Sequence, residues 1–329
     1  MTTRVIGYGL GPIGIGILRL AMTRSALRVV GAVDLDPAKI GHDLGAICGG
    51  ETHDVAVVGD LAEALAAQPQ VALHATGSAL ERVAPQLHAL IEAGLHVIST
   101  CEELSYPWVA NPQIAADLDA AARRRGVVVL GTGVNPGYAM DALPLMLTAP
   151  CTIVRSVRVL RVVDAARRRG PLQRKVGAGL TPDAFAARVT DGSVRHVGLP
   201  ESLQMLAGAL GWNLDSHSDT IQPMIADRAI VTEYVQVAPG QVAGVHQIAR
   251  GFVEGREVLT LELRMYVGAH DPQDTIIIDG DPAVHTTIHG GLHGDLATAA
   301  MVVNAVNSLS HARPGLATMD TLPLVHWRG

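Results

Sequence analysis

The sequence has few aromatic and few charged residues. Phe, Trp and Tyr make up 3% of its 329 residues and Asp, Glu, Lys and Arg 17%, whereas hydrophobic residues reach 48%. A chain of this composition can bury a substantial core, so intrinsic disorder is excluded and the core must be built from aliphatic side chains. The length is sufficient for two domains of ordinary size.

Cysteine and long hydrophobic runs are also scarce. The three cysteines, Cys48, Cys101 and Cys151, form no Cys-x-x-Cys pair, so the simplest interpretation is a reduced, cytoplasmic protein. No apolar run reaches ~18 residues and the N-terminus does not resemble a secretory signal, so no association with a membrane is expected. The net charge of −6 argues against a nucleic-acid partner.

The N-terminal region contains a dinucleotide-binding fingerprint. A short apolar run is followed by Gly9-Leu10-Gly11-Pro12-Ile13-Gly14, then by a helical pattern and by a second apolar run that ends at Asp34. Strand, glycine turn, helix, strand and acid in this order are the context that the fingerprint requires. A purely structural glycine turn is the alternative.

Each residue type in the fingerprint has a physical role. Gly9 permits the sharp turn, Gly11 lets a pyrophosphate approach the backbone, and Gly14 lets the helix pack close to the strand. Pro12 suits a first helical turn, and the N–H groups of that turn, at Ile13 and Gly14, attract phosphate. Asp34 can accept hydrogen bonds from a ribose diol.

Apolar runs alternate with helical patterns as far as residue 130. This alternation predicts an α/β domain with a Rossmann-type, doubly wound parallel sheet. Ligands of such sheets bind beyond the carboxyl ends of the strands. The loops at Thr76-Gly77, at Glu102, and from Gly131 to Asn135 are therefore expected to face the cofactor.

The pattern changes after residue 150. Strand patterns cover residues 152–163, 230–238, 242–253 and 258–267, with shorter ones at 275–278 and 284–288, which predicts an α+β domain with a mostly antiparallel sheet. A helical segment at 295–309 is expected to return to the nucleotide domain. We therefore predict a dinucleotide-binding domain of residues 1–137 and 292–329, and a substrate-binding and dimerisation domain of residues 138–291.

Two adjacent acids, Glu102 and Glu103, follow a predicted strand of the nucleotide domain. A carboxylate beside the expected nicotinamide is well placed for proton transfer, and partial burial would raise its pKa toward neutrality. The alternative is a solvated acid pair at a helix start, where the dipole favours negative charge.

Two further segments are candidates for the site. The joint from Gly131 to Tyr138 should lie between the domains, where small-molecule sites concentrate. The alternative is an ordinary hinge. His285, His289 and His293 have the spacing of helical metal ligands, but Gly290-Gly291 and a β-rich flank argue against a helix. No metal is therefore expected, and the absence of a Gly-x-Ser-x-Gly elbow removes support for serine hydrolysis.

The combination of motifs resembles the 2,4-diaminopentanoate dehydrogenase family and its native amine dehydrogenase relatives. The resemblance is carried by the fingerprint, by the loop over 99–108, by Gly131-Thr132-Gly133-Val134-Asn135-Pro136-Gly137-Tyr138, and by the tail over 290–295. The nucleotide domain also looks like that of dihydrodipicolinate reductase. The glutamate loop and the Asn-Pro-Gly joint are the more specific of these motifs.

The resemblance implies an NAD(P)-dependent enzyme that aminates a ketone or aldehyde reductively with ammonia and runs the reverse oxidative deamination. It also implies a homodimer. The family's catalytic glutamate falls on the acid pair, and we assign it to Glu102, with Glu103 and Tyr138 in the substrate pocket. The family's diamino-acid members need groups that hold a carboxylate and a distal ammonium. Arg161, Asp164 and Arg168 are candidates for this role, although no recognised motif contains them.

NAD is expected to be preferred, because Asp34 should repel a 2′-phosphate. NADP stays a possible second cofactor, since Lys39 is close enough in sequence to soften that repulsion and the family has members using each. Two other functions stay open. One is a different NAD(P)-dependent reductase acting on an imine or carbonyl in an amino-acid pathway, and the other is a non-catalytic dinucleotide-binding sensor.

Overall fold

A computed structural model describes residues 2–328. These residues form two compact units. The first unit contains the residues up to Tyr138 and those from His293 onward, and the second is Ala139–Leu292. Each junction lies one residue after the position expected from the sequence. Within residues 2–328, no helix combines the length and the hydrophobicity needed to cross a membrane.

The first unit alternates strands and helices. Its strands before the first junction are β1 Thr3–Tyr8, β2 Leu27–Val33, β3 Val57–Val58, β4 Val71–His74, β5 His96–Ser99 and β6 Val128–Gly131. Its helices there are α1 Pro12–Met22, α2 Leu44–Ile47, α3 Leu61–Leu65, α4 Leu80–Glu92 and α5 Pro112–Arg125. A 3₁₀ turn, Glu102–Ser105, follows β5.

The second unit consists of helices and longer strands. Its helices are α6 Ala142–Leu147, α7 Gly170–Lys175, α8 Pro182–Thr190 and α9 Leu199–Ala209. Its strands are β7 Ile153–Asp164, β8 Ser216–Ile225, β9 Ile230–Val231, β10 Gln236–Val237, β11 Val242–Val253, β12 Arg256–Tyr266, β13 Gln273–Asp281 and β14 Val284–His289. The chain then re-enters the first unit with α10 Gly294–Leu309 and β15 Gly315–Ala317.

The sheet of the first unit is parallel throughout and has the strand order β15-β6-β5-β4-β1-β2-β3. One aliphatic core, on the side of α1 and α10, includes Ile17 and Val302. A second core, on the side of α4 and α5, includes Leu87 and Leu118. The doubly wound parallel sheet predicted from the sequence is thus confirmed. Its strand order reverses between β1 and β4, and a crevice at the carboxyl ends of such strands is where ligands bind.

The sheet of the second unit has the order β14-β13-β7-β12-β11-β8, with antiparallel pairs except between β7 and β12. The mostly antiparallel sheet is confirmed, but the single strand predicted over 230–238 is wrong. The chain reverses there as the hairpin of β9 and β10. The Thr232 hydroxyl accepts hydrogen bonds from the N–H groups of Tyr234 and Val235, which holds the turn closed.

One histidine of the first sheet, His74 at the end of β4, is completely buried. Its Nδ1 lies 2.8 Å from Ser99 Oγ, and its Nε2 lies 2.9 Å from Gln86 Oε1. A buried polar group costs little only when it is hydrogen-bonded, and both ring nitrogens meet that condition. Burial lowers the pKa of His74 to about 4, so the ring is neutral at physiological pH.

This burial makes stability depend on pH. The folded-state pKa of His74 is depressed below its value of about 6.5 in an unfolded chain, so the unfolded state binds the proton more readily. The free energy of unfolding is therefore not reduced by this group above pH 6.5, and it falls by about 3 kcal/mol in all as the pH drops toward 4.

We expect the thermal midpoint to fall more steeply between pH 7 and pH 4.5 for the wild type than for His74→Gln. Parallel pH profiles of the two proteins would contradict this prediction.

Candidate active site

Two glycines of the N-terminal turn are required by the fold itself. Gly9 has φ +93°, and a Cβ placed there would lie 2.7 Å from the Ala75 carbonyl oxygen. A Cβ on Gly14 would lie 1.9 Å from the Gly9 carbonyl oxygen. Both distances are far below any normal contact. A side chain at Gly9 would push the turn away from the loop after β4, and a side chain at Gly14 would push the start of α1 away from the end of β1.

Gly11 is different, because nothing in the fold explains it. Its φ of −68° is accessible to any residue, and a Cβ placed there would meet no atom within 4 Å. The position therefore opens onto space at the N-terminus of α1, where backbone N–H groups and the helix dipole favour an anion. Pro12 begins the helix, and Ile13 follows it in the first turn. This arrangement fits the pyrophosphate of a dinucleotide.

Asp34, directly after β2, is tied to the glycine turn. Its Oδ2 accepts from the Leu10 N–H at 2.6 Å, and its Oδ1 accepts from the Asp36 N–H at 2.8 Å. Lys39 Nζ lies 3.2 Å from Oδ2. Partial burial acts to raise the pKa of Asp34, but these hydrogen bonds and the ammonium charge outweigh it and hold the pKa below its ordinary value. The carboxylate is therefore ionised and fixed in place beside the turn.

The predicted catalytic loop begins at Cys101 and forms the 3₁₀ turn Glu102–Ser105 at the end of β5. Ser105 Oγ donates to the Glu102 carbonyl oxygen at 2.7 Å. The turn passes close to the end of β6, since a Cβ on Gly131 would lie 2.5 Å from the Leu104 carbonyl carbon. Glu102 itself is half-buried. Burial raises the pKa of the Cys101 thiol to about 12, so this neighbour stays protonated and is no rival nucleophile.

Glu103 has a structural partner. Helix α4 has no side-chain cap from its own N-cap residue, Ala79. Glu103 Oε2 instead accepts from the Leu80 N–H at 2.7 Å, and the Glu103 N–H donates to the Ser78 carbonyl oxygen at 3.3 Å. A carboxylate in this position satisfies an orphan amide and complements the helix dipole. The turn is thereby fastened to the loop that contains Thr76 and Gly77.

The joint from Gly131 to Tyr138 is anchored to the first unit at two points. The Thr132 N–H donates to the Ser99 carbonyl oxygen at 2.9 Å, and the Val134 N–H donates to Thr298 Oγ1 on α10 at 3.2 Å. Asn135 and Tyr138 are half-buried. The segment therefore ends β6 at the same edge of the sheet as the glycine turn and the Glu102 turn.

The two candidate arginines lie in the second unit. Arg161 on β7 is buried, donating from Nη1 to Asp274 Oδ1 at 2.6 Å and from Nη2 to the Leu292 carbonyl oxygen at 2.7 Å. Burial lowers the pKa of its guanidinium, although the adjacent Asp274 carboxylate opposes that shift. Arg168 follows a short 3₁₀ turn and is half-buried. The role of both in holding substrate stays a prediction.

The three histidines considered as metal ligands lie on different elements. His285 and His289 are on β14, and His293 is the N-cap of α10. Their helix-like spacing therefore does not reflect a helix. Across residues 2–328, the structure contains no group of three or more His, Cys, Asp or Glu side chains arranged to hold a metal ion.

Two contributors to the site were not predicted from the sequence. They are the backbone N–H groups of Leu10 and Leu80, which hold Asp34 and Glu103. Every residue except proline has such a group, so the sequence carries no signal for either contact. The buried His74 could have been found, because a polar residue that ends an apolar strand needs hydrogen-bond partners.

Comparison with known proteins agrees with the resemblance seen in the sequence. The 2,4-diaminopentanoate dehydrogenase of Acetoanaerobium sticklandii is 30% identical over 98% of this chain and 93% of its own length. The amine dehydrogenase of Streptomyces virginiae is 24% identical over 96% of this chain and 95% of its own. The structure of an amine dehydrogenase from Mycobacterium smegmatis has 27% identity, covers 100% of this chain and 98% of that one, and superposes with a TM-score of 0.88.

The C-terminal part of the chain carries the family assignment most directly. Residues 138–327 match the model of the 2,4-diaminopentanoate dehydrogenase C-terminal domain, which covers more than half of the chain. The first unit supplies the dinucleotide-binding turn that a dehydrogenase requires. The chain therefore belongs to the 2,4-diaminopentanoate dehydrogenase family and is an oxidoreductase dependent on a nicotinamide dinucleotide.

Proposed function

We propose that this enzyme is an amine dehydrogenase that aminates a ketone or aldehyde reductively with ammonia and runs the reverse oxidative deamination. The observation that carries the proposal is the division of roles between two adjacent acids. The Glu103 carboxylate accepts a hydrogen bond from the first residue of helix α4. Glu102 begins the turn at the carboxyl edge of the sheet and is half-buried. We therefore assign Glu103 to the structure of the loop and Glu102 to proton transfer.

We assign the cofactor-binding residues from the way the glycine turn would accommodate a dinucleotide. Gly9, Gly11, Pro12, Ile13 and Gly14 form the turn and the first helical residues that would hold the pyrophosphate. Asp34 would accept from the ribose of the adenosine half. Thr76, Gly77 and Asn135 are assigned to the nicotinamide half, because their loops follow strands at the same edge. When bound, the nicotinamide supplies or accepts the hydride.

Glu102 would manage the protons of the amination. Its carboxylate can take a proton from ammonium, which frees the amine to attack the carbonyl carbon. It can then deliver that proton to the departing hydroxyl, so that water leaves. Its negative charge also stabilises the iminium that remains, and partial burial strengthens this interaction.

We assign the substrate side to Tyr138, Arg161 and Arg168, whereas Glu103 holds the start of helix α4. Tyr138 is supported by its position at the end of the joint. A substrate with a carboxylate would need a cation, which supports the arginines, whereas a simple alkyl ketone would need neither. Arg161 is buried, whereas Arg168 is half-buried, so Arg168 is the first arginine to test.

We also propose a homodimer located in the cytoplasm. The family resemblance supports the dimer. A second support is the exposed hydrophobic side chain of Ile277, on strand β13 of the second unit. Sedimentation should give twice the chain mass of 34.4 kDa. Cell fractionation tests the compartment.

The central experiment measures NADH oxidation with cyclohexanone, short aldehydes and keto acids, each with and without ammonium. Reductive amination predicts turnover that requires ammonium and saturates with it. Equal turnover without ammonium would instead indicate a carbonyl reductase, and activity on preformed cyclic imines alone would indicate an imine reductase. No turnover on the whole panel, together with tight NADH binding, would favour a sensor.

Gly11 provides a test of the cofactor site. We expect Gly11→Ala to fold normally, because its Cβ meets no atom within 4 Å, yet to weaken NADH binding about 10- to 100-fold, or about 1.4–2.8 kcal/mol. Gly16→Ala on the same helix is the matched control, since its Cβ also meets nothing, and it should retain affinity. Fluorescence titration with NADH provides the measurement. Unchanged affinity in Gly11→Ala and in the larger Gly11→Val would remove the basis for the pyrophosphate site.

The paired glutamates provide a test of the proton carrier. Glu102→Gln should keep the fold and NADH affinity but lower the ammonium-dependent rate about 10²–10⁴-fold. Glu103→Gln keeps an oxygen for the Leu80 N–H but loses the charge, so it should lower stability by about 0.3–1 kcal/mol and leave the rate nearly unchanged. The opposite pattern in steady-state kinetics would show that Glu103 is the proton carrier. If neither variant loses activity, the group lies elsewhere.

Lys39 provides a test of cofactor preference. An ionised carboxylate has about four acceptor positions, and Asp34 uses three of them for Leu10, Asp36 and Lys39. Moving Lys39 aside would give the ribose diol of NADH two acceptors, whereas a 2′-phosphate would retain the lysine as a partner. We expect a lower KM for NADH than for NADPH in the wild type. Lys39→Met should reduce kcat/KM for NADPH about tenfold, since one lost ion pair corresponds to about 1.4 kcal/mol, while Lys39→Arg should not. A lower wild-type KM for NADPH would refute the preference.

A further inference from the structure

A chain of hydrogen bonds passes through His74 and links the loops at the carboxyl ends of β4 and β5. His74 lies between them with an exposed fraction of 0%. The Tyr8 ring, at the end of β1, lies against it with a centroid distance of 5.6 Å. Three strand ends that precede proposed site loops therefore meet around one imidazole.

One arm of this chain runs from His74 Nε2 to the Thr76 loop. Gln86 Oε1 on α4 lies 2.9 Å from Nε2, and Thr76 Oγ1 donates to the same oxygen at 2.5 Å. Thr76 Oγ1 also lies 2.9 Å from Nε2 itself, so the arm reaches Thr76 both directly and through Gln86. Thr76 is thereby fixed with its hydroxyl toward α4. Its methyl group faces the glycine turn, since a Cβ on Gly9 would lie 2.7 Å from Thr76 Cγ2.

The other arm runs from His74 Nδ1 to the Glu102 turn. Ser99 Oγ lies 2.8 Å from Nδ1 and accepts from the Cys101 N–H at 3.1 Å. Cys101 is the N-cap of the turn Glu102–Ser105. The serine hydroxyl thus links the imidazole to the residue that precedes the proposed proton carrier.

The donors and acceptors of the two arms require a single tautomer of the imidazole. Gln86 Oε1 can only accept, so Nε2 carries the proton and donates to it. Nδ1 is then an acceptor and receives the Ser99 hydroxyl proton, which leaves the serine oxygen to accept from Cys101. Every hydrogen bond in the chain is satisfied in this one arrangement, and a connected, fully satisfied buried network holds its members rigidly.

We propose that His74 is a positioning residue that holds the Thr76 loop against the dinucleotide turn through Nε2 and orients the Glu102 turn through Nδ1. The inference rests on the proposed function, because the roles of Thr76 and Glu102 are its premises. His74 touches neither substrate nor cofactor in this proposal. Its effect is geometric, and a displacement of about 1 Å in a reacting group can cost about 100-fold in rate.

Two substitutions separate the arms. In His74→Gln the side-chain amide nitrogen can take the place of Nε2, so the Gln86 and Thr76 arm is kept and the Ser99 arm is lost. In His74→Asn the amide oxygen can take the place of Nδ1, so the Ser99 arm is kept and the other is lost. Each variant is therefore the control for the other. The matched control is His96→Asn, because His96, at the start of β5, accepts from the Val128 N–H at 3.0 Å through Nδ1 and is not a member of this network.

The measurements are kcat and KM for ammonium-dependent turnover, the NADH dissociation constant by fluorescence, and the thermal midpoint. We expect His74→Gln to lower kcat about 10- to 100-fold with NADH affinity retained. We expect His74→Asn to weaken NADH binding about tenfold, or about 1.4 kcal/mol, with kcat largely retained. His96→Asn should change neither constant.

Equal losses of thermal stability in both variants, with wild-type kcat, KM and NADH affinity, would reduce His74 to a structural residue and overturn the proposal. If either variant fails to fold, Ser99→Ala cuts the Nδ1 arm without altering the imidazole and must lower kcat with NADH affinity retained. Gln86→Met removes the acceptor that Nε2 shares with Thr76 Oγ1 and must weaken NADH binding with kcat largely retained. If the wild type shows no turnover, the proposed function has failed. NADH affinity alone then decides the cofactor arm, and an unchanged dissociation constant in His74→Asn overturns it.

Discussion

The close passage of Gly14 over the Gly9 carbonyl oxygen is the constraint on which the first unit depends. A Cβ on Gly14 would lie 1.9 Å from that oxygen, so only glycine lets α1 begin directly at the end of β1. The same approach brings the N-terminus of the helix to the point where the strand order reverses. Asp34 then reaches the Leu10 N–H, and Thr76 lies against Gly9.

Two acids at this edge of the sheet form hydrogen bonds with the backbone. Asp34 fastens the glycine turn to the end of β2, and Glu103 fastens the Glu102 turn to the start of α4. Charge-assisted hydrogen bonds of this kind are stronger than neutral ones. The loops are therefore held in position before any ligand arrives, which lowers the entropy that binding must overcome.

The sequence was sufficient for the elements whose patterns are strong. Strand β11 occupies the residues that were predicted, and helix α10 begins one residue before the predicted segment, because their patterns are clear and a glycine lies at or near an end of each. Strand β8 was missed because Ser216–Ile225 is mostly polar and contains Pro223. These residues are tolerated because β8 lies at the edge of its sheet. The split into β9 and β10 depends on Thr232 holding a turn, which strand propensity does not register.

The candidate site was predictable to a different degree. The glycines, Asp34 and the acid pair could be identified because their residue types and spacing follow from chemistry. The separate role of Glu103 could not, since its partner is a backbone amide far away in the sequence. The same holds for Arg161, whose partners Asp274 and Leu292 come from a later strand and from the end of the second unit.

The discontinuous first unit also has a consequence for synthesis of the chain. Its sheet is completed by β15, which pairs with β6, and its α1 face is covered by α10. Both elements leave the ribosome after the whole of Ala139–Leu292. The second unit therefore has all its residues first and can fold during translation. Before α10 and β15 are synthesised, the first unit has part of its aliphatic surface uncovered. Exposed hydrophobic surface of this kind favours aggregation, so this is the stage of synthesis at which chaperones matter most.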